Sequence, residues 1–196
     1  MILIKQQEGK HLKRLRKIYL IIAVFFTVFS VIFSAPSYRV DSLDITAKIQ
    51  EDGSVVVEEI VLYNASEING VLYNIDAKGY GKLNSLEVFY EKNGEFIPAV
   101  NQNGTSSGSY TVTTSDELYK IKLYSPMRDE KRYFGFRYIL PRGVTVYEDI
   151  AQFNRKMVGR GWQNSIKDVS VKVILPKKVE KNEIHAFGHG PLTGNI

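Results

Sequence analysis

Residues 38–62 read YRVDSLDITAKIQEDGSVVVEEIVL. Tyr38, Val40, Leu43, Ile45, Ala47 and Ile49 alternate with polar residues, the period-two pattern of a strand with one face covered. Glu51-Asp52-Gly53 supplies a turn, and Val55 and Val57, alternating with Glu58, then Ile60 and Leu62, begin the return. The stretch predicts a β-hairpin. If the chain beyond residue 62 keeps the same period, the fold is all-β.

It does. Gly70–Ile75 (GVLYNI) reads as a short strand, and Gly79 and Gly81 then break the chain. Leu83–Tyr90 and Phe96–Val100 flank Asn93-Gly94, a pair favoured where both turn residues need positive φ. The tract 101–109 (NQNGTSSGS) is a polar loop. Tyr110–Thr114, Leu118–Tyr124, Lys131–Leu140 and Val169–Leu175 supply further strands before Pro176. About eight short strands separated by turn signals predict a mainly β fold, an antiparallel β-sandwich of immunoglobulin-like or related type.

One segment departs from period two. In residues 146–162 (VYEDIAQFNRKMVGRGW), Ile150, Phe153 and Met157 recur at helical spacing. Glu148 and Asp149 would lie in a first helical turn, Arg155 and Lys156 in a last one, and Gly159 would follow the C-cap. The expectation is one short inserted helix near 148–158, its apolar stripe closing one end of the sandwich.

Upstream of Pro36 the chemistry changes. Residues 1–17 hold Lys5, Lys10, Lys13, Arg14, Arg16 and Lys17 against Glu8, and this accounts for the whole net charge of +5. Residues 18–196 hold equal numbers of basic and acidic side chains. A neutral folded part offers no basic face for nucleic acid. The basic cluster leads into IYLIIAVFFTVFSVIF, residues 18–33, without a charge. That order predicts a signal peptide or an N-terminal membrane anchor over residues 1–35, with about 24 Å of helix available. Small residues at Ser34-Ala35 suit cleavage, while Ile32 and Phe33 suit retention, and both readings stay open. Either way, positive charge stays inside and residues 37–196 become an extracytoplasmic domain. The absence of cysteine removes thiol catalysis, iron–sulfur clusters and thiolate zinc sites from the readings.

Candidate chemistry is sparse. Glu148 and Asp149 could act as an acid and base, but neighbouring helical residues point about 100° apart. His185 and His189 have the i, i+4 spacing of a metal-binding helix, yet Gly188, Gly190 and Pro191 oppose that helix. In an extended chain about 13 Å would separate their Cα atoms. Trp162, the only tryptophan, fits core packing at the helix–sandwich junction or an exposed platform for a sugar ring. Asn64-Ala65-Ser66 and Asn103-Gly104-Thr105 match the glycosylation acceptor pattern. There is no P-loop, dinucleotide fingerprint, nucleophile elbow or zinc-protease helix, and no cofactor is expected.

Three stretches together carry a resemblance. They are Tyr38-Arg39-Val40 running to Glu51-Asp52-Gly53-Ser54, then Val144–Ala151 with Gly161-Trp162 beyond, and last Leu175-Pro176 followed by His189–Gly194. Their order resembles the N-terminal region of predicted bacterial membrane proteins grouped as domain-of-unknown-function family 2207. The resemblance implies a signal sequence, an extracytoplasmic β-rich domain and later transmembrane helices, with further β sequence after the HGPL segment, so that the domain is expected to be truncated at its C-terminal end. It brings no catalytic residues. After Asp149 the chain has Phe153-Asn154 where the family more usually has an aromatic pair including tryptophan.

The expectation is therefore a membrane-tethered envelope domain of structural or interaction type, with an envelope protein or polysaccharide as partner. Two alternatives remain: a hydrolase or metal-dependent enzyme using His185, His189 and a carboxylate such as Glu148, and a carbohydrate-binding module using Trp162.

Overall fold

The computed structural model describes residues 38–159 and 161–188. The expected leader or anchor, His189 and most of the HGPL segment lie outside these residues. Ten β elements run in order: β1 (Tyr38–Ile49), β2 (Val55–Asp76), β3 (Asn84–Lys92), β4 (Glu95–Pro98), β5 (Val100–Asn101), β6 (Ser109–Ser115), β7 (Leu118–Leu140), β8 (Thr145–Val146), β9 (Ala151–Gln152) and β10 (Ile166–Ile174). A 3-10 turn covers Lys181–Glu183. Among the described residues no helix is long and apolar enough to cross a membrane.

The turns form as the sequence predicts. Gly53 takes φ +79°, and Asp52 accepts hydrogen bonds from the Ser54 N–H and hydroxyl. Asn93 (φ 56°) and Gly94 (φ 82°) make the tight β3–β4 connection. The strands differ from expectation in length. The two runs expected at 55–62 and 70–75 are one 22-residue strand, and those at 118–124 and 131–140 are one 23-residue strand.

These two long strands pair antiparallel along their whole length, Val55 opposite Leu140 and Asp76 opposite Leu118. The register shifts between Ile68 and Gly70. There a Cβ on Gly70 would come within 2.1 Å of the Leu123 carbonyl oxygen, so only glycine fits. Arg132 ties the bend in β7 by donating to Ser125 Oγ (2.6 Å) and to the Pro126 carbonyl (3.1 Å). Beyond the bend, Tyr73 of β2 lies stacked on Phe136 of β7, with ring centroids 3.9 Å apart and planes 8° apart. The hairpin is therefore folded over, and its two halves face each other across the core.

One half carries β10, β1, β3 and β4 as outer strands; the other carries β6, itself paired with β5. The result is mainly antiparallel and loosely sandwich-like, with the hydrogen-bonded path continuous between layers. The pair β1–β10 is parallel. The core between the layers holds Val55, Val57, Val61, Tyr63, Val71, Tyr73, Ile75, Ile121, Leu123, Phe134, Phe136, Tyr138 and Leu140. At about 25 cal/mol per Å² of apolar surface, such burial is the dominant favourable contribution to folding.

The helix expected near 148–158 is absent. Thr145–Gln152 instead forms a small hairpin, β8 against β9, with Glu148-Asp149 at its tip and Tyr147 N–H bonded to the Ile150 carbonyl (2.7 Å). Residues 153–159 then run without regular secondary structure, and their burial alternates: Phe153, Arg155 and Met157 inward, Asn154 and Lys156 outward. Positions i and i+4 share a face in both a helix and an extended chain. The Phe153/Met157 spacing therefore could not separate the two, and Ile150, which a helical stripe would bury, is 56% exposed.

Candidate functional site

Among the described residues, one linked group of polar side chains lies inside the fold. Counting by twos from Val55 along β2 gives Val57, Glu59, Val61 and Tyr63, all buried. The strand's phase thus carries Glu59 into the core, while Ile60 and Leu62, grouped with the inward residues by the sequence pattern, lie on the partly exposed outer face. Two phenols meet the carboxylate. Tyr138 comes from β7, the neighbouring strand in the same layer, and donates to Glu59 Oε1. Tyr73 comes from the facing layer and donates to Oε2.

Arg155 completes the group from the segment after β9. Its Nη2 donates to Tyr138 Oη (2.6 Å) and stands 3.7 Å from Glu59 Oε1. Its Nη1 donates to the Asp76 carbonyl (3.2 Å). The guanidinium carbon lies 5.5 Å from the Tyr80 ring centroid and 5.6 Å from that of Tyr138. The side chains of Glu59 and Arg155 are each only 6% exposed, and Arg155 Nε is buried without a hydrogen-bond partner. Trp162 packs edge-on against Tyr73 (5.6 Å, 77°) and closes that side.

An isolated carboxylate would be very costly in this interior. Burial pushes the Glu59 carboxyl up, while the Tyr138 and Tyr73 hydroxyls and Arg155 oppose that rise. Burial and then the Glu59 charge push both phenols well above the ordinary tyrosine range. Because the folded Glu59 value is raised, the favourable linkage from this group is fully present below the ordinary carboxylate range. It is lost as pH rises through the raised value. Chemically, the group is a closed hydrogen-bonded chain, Arg155 to Tyr138 to Glu59, that ties three elements together. A surface depression of about 390 Å³, lined by residues including Asp52, Pro141, Arg142 and Val144, receives none of its members.

The residues singled out in the sequence do not form this cluster. Glu148 and Asp149 are exposed at the β8–β9 tip rather than in a helical first turn. Trp162 is partly buried against the core. His185 is exposed beyond the 3-10 turn, and His189 lies outside the described residues. Among the described residues no three His, Cys, Asp or Glu side chains are grouped to hold a metal ion. Sequence reasoning missed Glu59, Tyr73, Tyr138 and Arg155. The one available signal was the phase set by Val55 and Val57, which points position 59 inward.

A second feature lies at the sheet margin. β10 is the terminal strand, paired only with β1 among the described residues. Its register sets Val169 beside Leu43, Val171 beside Ile45 and Val173 beside Ala47. Paired residues of parallel strands share a face, so the three valines continue the core-facing row of β1. They are nevertheless 47%, 46% and 44% exposed.

The family model described as "Predicted membrane protein (DUF2207) N-terminal domain" matches residues 39–196. No curated protein matches the chain. Among solved structures, a putative protease from Parabacteroides distasonis is similar over 53% of this chain and 23% of its own, at 11% identity and a TM-score of 0.32. The group B streptococcus pilus 2b backbone protein is similar over 53% of this chain and 43% of its own, at 13% identity and a TM-score of 0.33. An M1 zinc metallopeptidase from Deinococcus radiodurans is similar over 52% of this chain and 20% of its own, at 12% identity and a TM-score of 0.28. The chain therefore spans less than half the length of each of these proteins.

Proposed function

We propose, given that the chain belongs to the DUF2207 family of predicted membrane proteins, that residues 38–188 serve as a non-catalytic interaction module on the outer side of a cell membrane. The basic residues before 18–33 support that orientation, since positive charge holds a leader's start inside. The observation that carries the interaction reading is β10. It is a nine-residue edge strand whose core-side valines lie about half open. Natural proteins guard such edges against chance pairing, and an edge of this kind accepts an extended strand from another segment. The polar side chains around Glu59 bond to one another inside the fold and lie apart from this edge.

The test is site-specific photo-crosslinking in intact cells. A photoreactive residue at Val171 is expected to give a discrete adduct, whereas one at Leu72, which is 71% exposed, gives none. No adduct at Val171, or equal labelling at both sites, would count against the reading.

A further inference from the structure

The segment over the buried cluster is held in an unusual way. Among the described residues, 153–165 make no hydrogen bond from main chain to main chain. Side chains attach it instead: Phe153, Met157, Val158 and Trp162 pack on the core, and Arg155 enters it. The Tyr80 hydroxyl donates to the Asn154 carbonyl (2.5 Å), and Asn164 donates to the Tyr38 carbonyl (2.8 Å). A segment with few main-chain bonds opens at lower free energy than the strands beneath it.

The pocket beneath the segment has the composition of a guanidinium receptor. Glu59 supplies negative charge, Tyr138 supplies an acceptor oxygen and a ring face, Tyr80 a second ring face, and the Asp76 carbonyl another acceptor. Carboxylate and aromatic faces together are what a planar, weakly hydrated cation prefers. Arg155 does not use the site fully. Its nearest approach to the carboxylate is 3.7 Å rather than a forked pair at about 2.8 Å, and its buried Nε has no partner.

We propose that Glu59, Tyr80 and Tyr138 form a guanidinium-binding site that the chain's own Arg155 occupies as an internal ligand, and that lifting the segment 153–159 opens it to an arginine side chain of a binding partner. This site is separate from the β10 edge and stands on its own observations.

The experiment uses the Arg155→Ala variant with methylguanidinium chloride as the probe, at millimolar concentrations well below denaturing levels and at constant ionic strength. A ligand that binds only the folded form raises Tm, here by about 3–6 °C at ten times its Kd, where the linkage is about 1.4 kcal/mol. That rise is expected in Arg155→Ala, and not in the Arg155→Ala/Glu59→Gln double variant or with tetramethylammonium, which lacks N–H donors. Failure of methylguanidinium to stabilise Arg155→Ala, or equal stabilisation of the double variant, overturns the proposal. If Arg155→Ala does not fold, Arg155→Lys keeps the charge without the fork. Tryptic cleavage after residues 155 and 156 should then quicken while β2 and β7 stay intact, and unchanged cleavage there overturns it too.

Discussion

β1 and β10 are neighbouring strands with apolar residues on the same face, yet those residues meet opposite fates. Leu43, Ile45 and Ala47 are at most 2% exposed, while Val169, Val171 and Val173, their register partners, are 44–47% exposed. Hydrophobicity and period cannot explain the difference, because both strands have them. The cause is the reach of the second layer. That layer is made by the far halves of β2 and β7 with β6, and among the described residues the buried core ends at β1. Being in the core is thus a property of what lies opposite a strand. The segment 153–159 does for the Glu59 cluster what no described element does for β10.

The largest expected effect comes from removing the second layer. Gly70→Val puts a side chain into the Leu123 carbonyl, and the protein should lose about 4 kcal/mol or more, or fail to fold, in urea titration. If it unfolds like the parent, the folded-over hairpin is not the source of the cover. Next, Arg155→Met leaves Glu59 without its cation and should cost about 3–5 kcal/mol, read from the same titrations. A loss below about 1 kcal/mol would mean that the segment 153–159 contributes little to closure.

The β1/β10 contrast is tested by matched truncations. Ile45→Ala should cost about 2–5 kcal/mol, as a large-to-small change in a filled core. Val171→Ala, its neighbour on the same face, should stay within about 0.5 kcal/mol in the isolated domain. Similar losses at both positions would show that β10 is covered after all. The smallest effect concerns the outer face. Asp41, bonded to Lys131 and Arg39 (2.8 Å each), has its carboxyl pulled down to about 2. A lowered carboxyl stabilises the fold above its unfolded value of 3.8 and loses that contribution as pH falls toward 2. The small Tm gap between the parent and Asp41→Asn should therefore shrink from pH 4 to pH 2, and a constant gap would show that the ion pairs contribute nothing.

Much of this was legible in the sequence, and the parts that were not share a physical cause. Period two gave β1, and turn chemistry gave Gly53 and Asn93-Gly94, because both depend on a few adjacent residues. The polar tracts around Ser66 and Asp129 read as breaks, although each lies within a long strand that bends there. In VVVEEIVL the phase of Val55 and Val57, which points Glu59 inward, competes with that of Ile60 and Leu62, and what packs over the strand decides between them. The cluster joins residues as far apart as Glu59 and Tyr138, and Arg155 reaches it from a segment whose i, i+4 spacing mimics a helix. Trp162 alone among the singled-out residues sits beside the cluster, and it does so as packing.

The most direct measurement is hydrogen exchange of β10, comparing the purified domain with the full-length protein in native membranes. Amides on the free edge of β10 are expected to exchange quickly in the isolated domain and to be slowed several-fold in the membrane, while β1 is protected equally in both. Identical β10 exchange in the two preparations would contradict the interaction role of this edge.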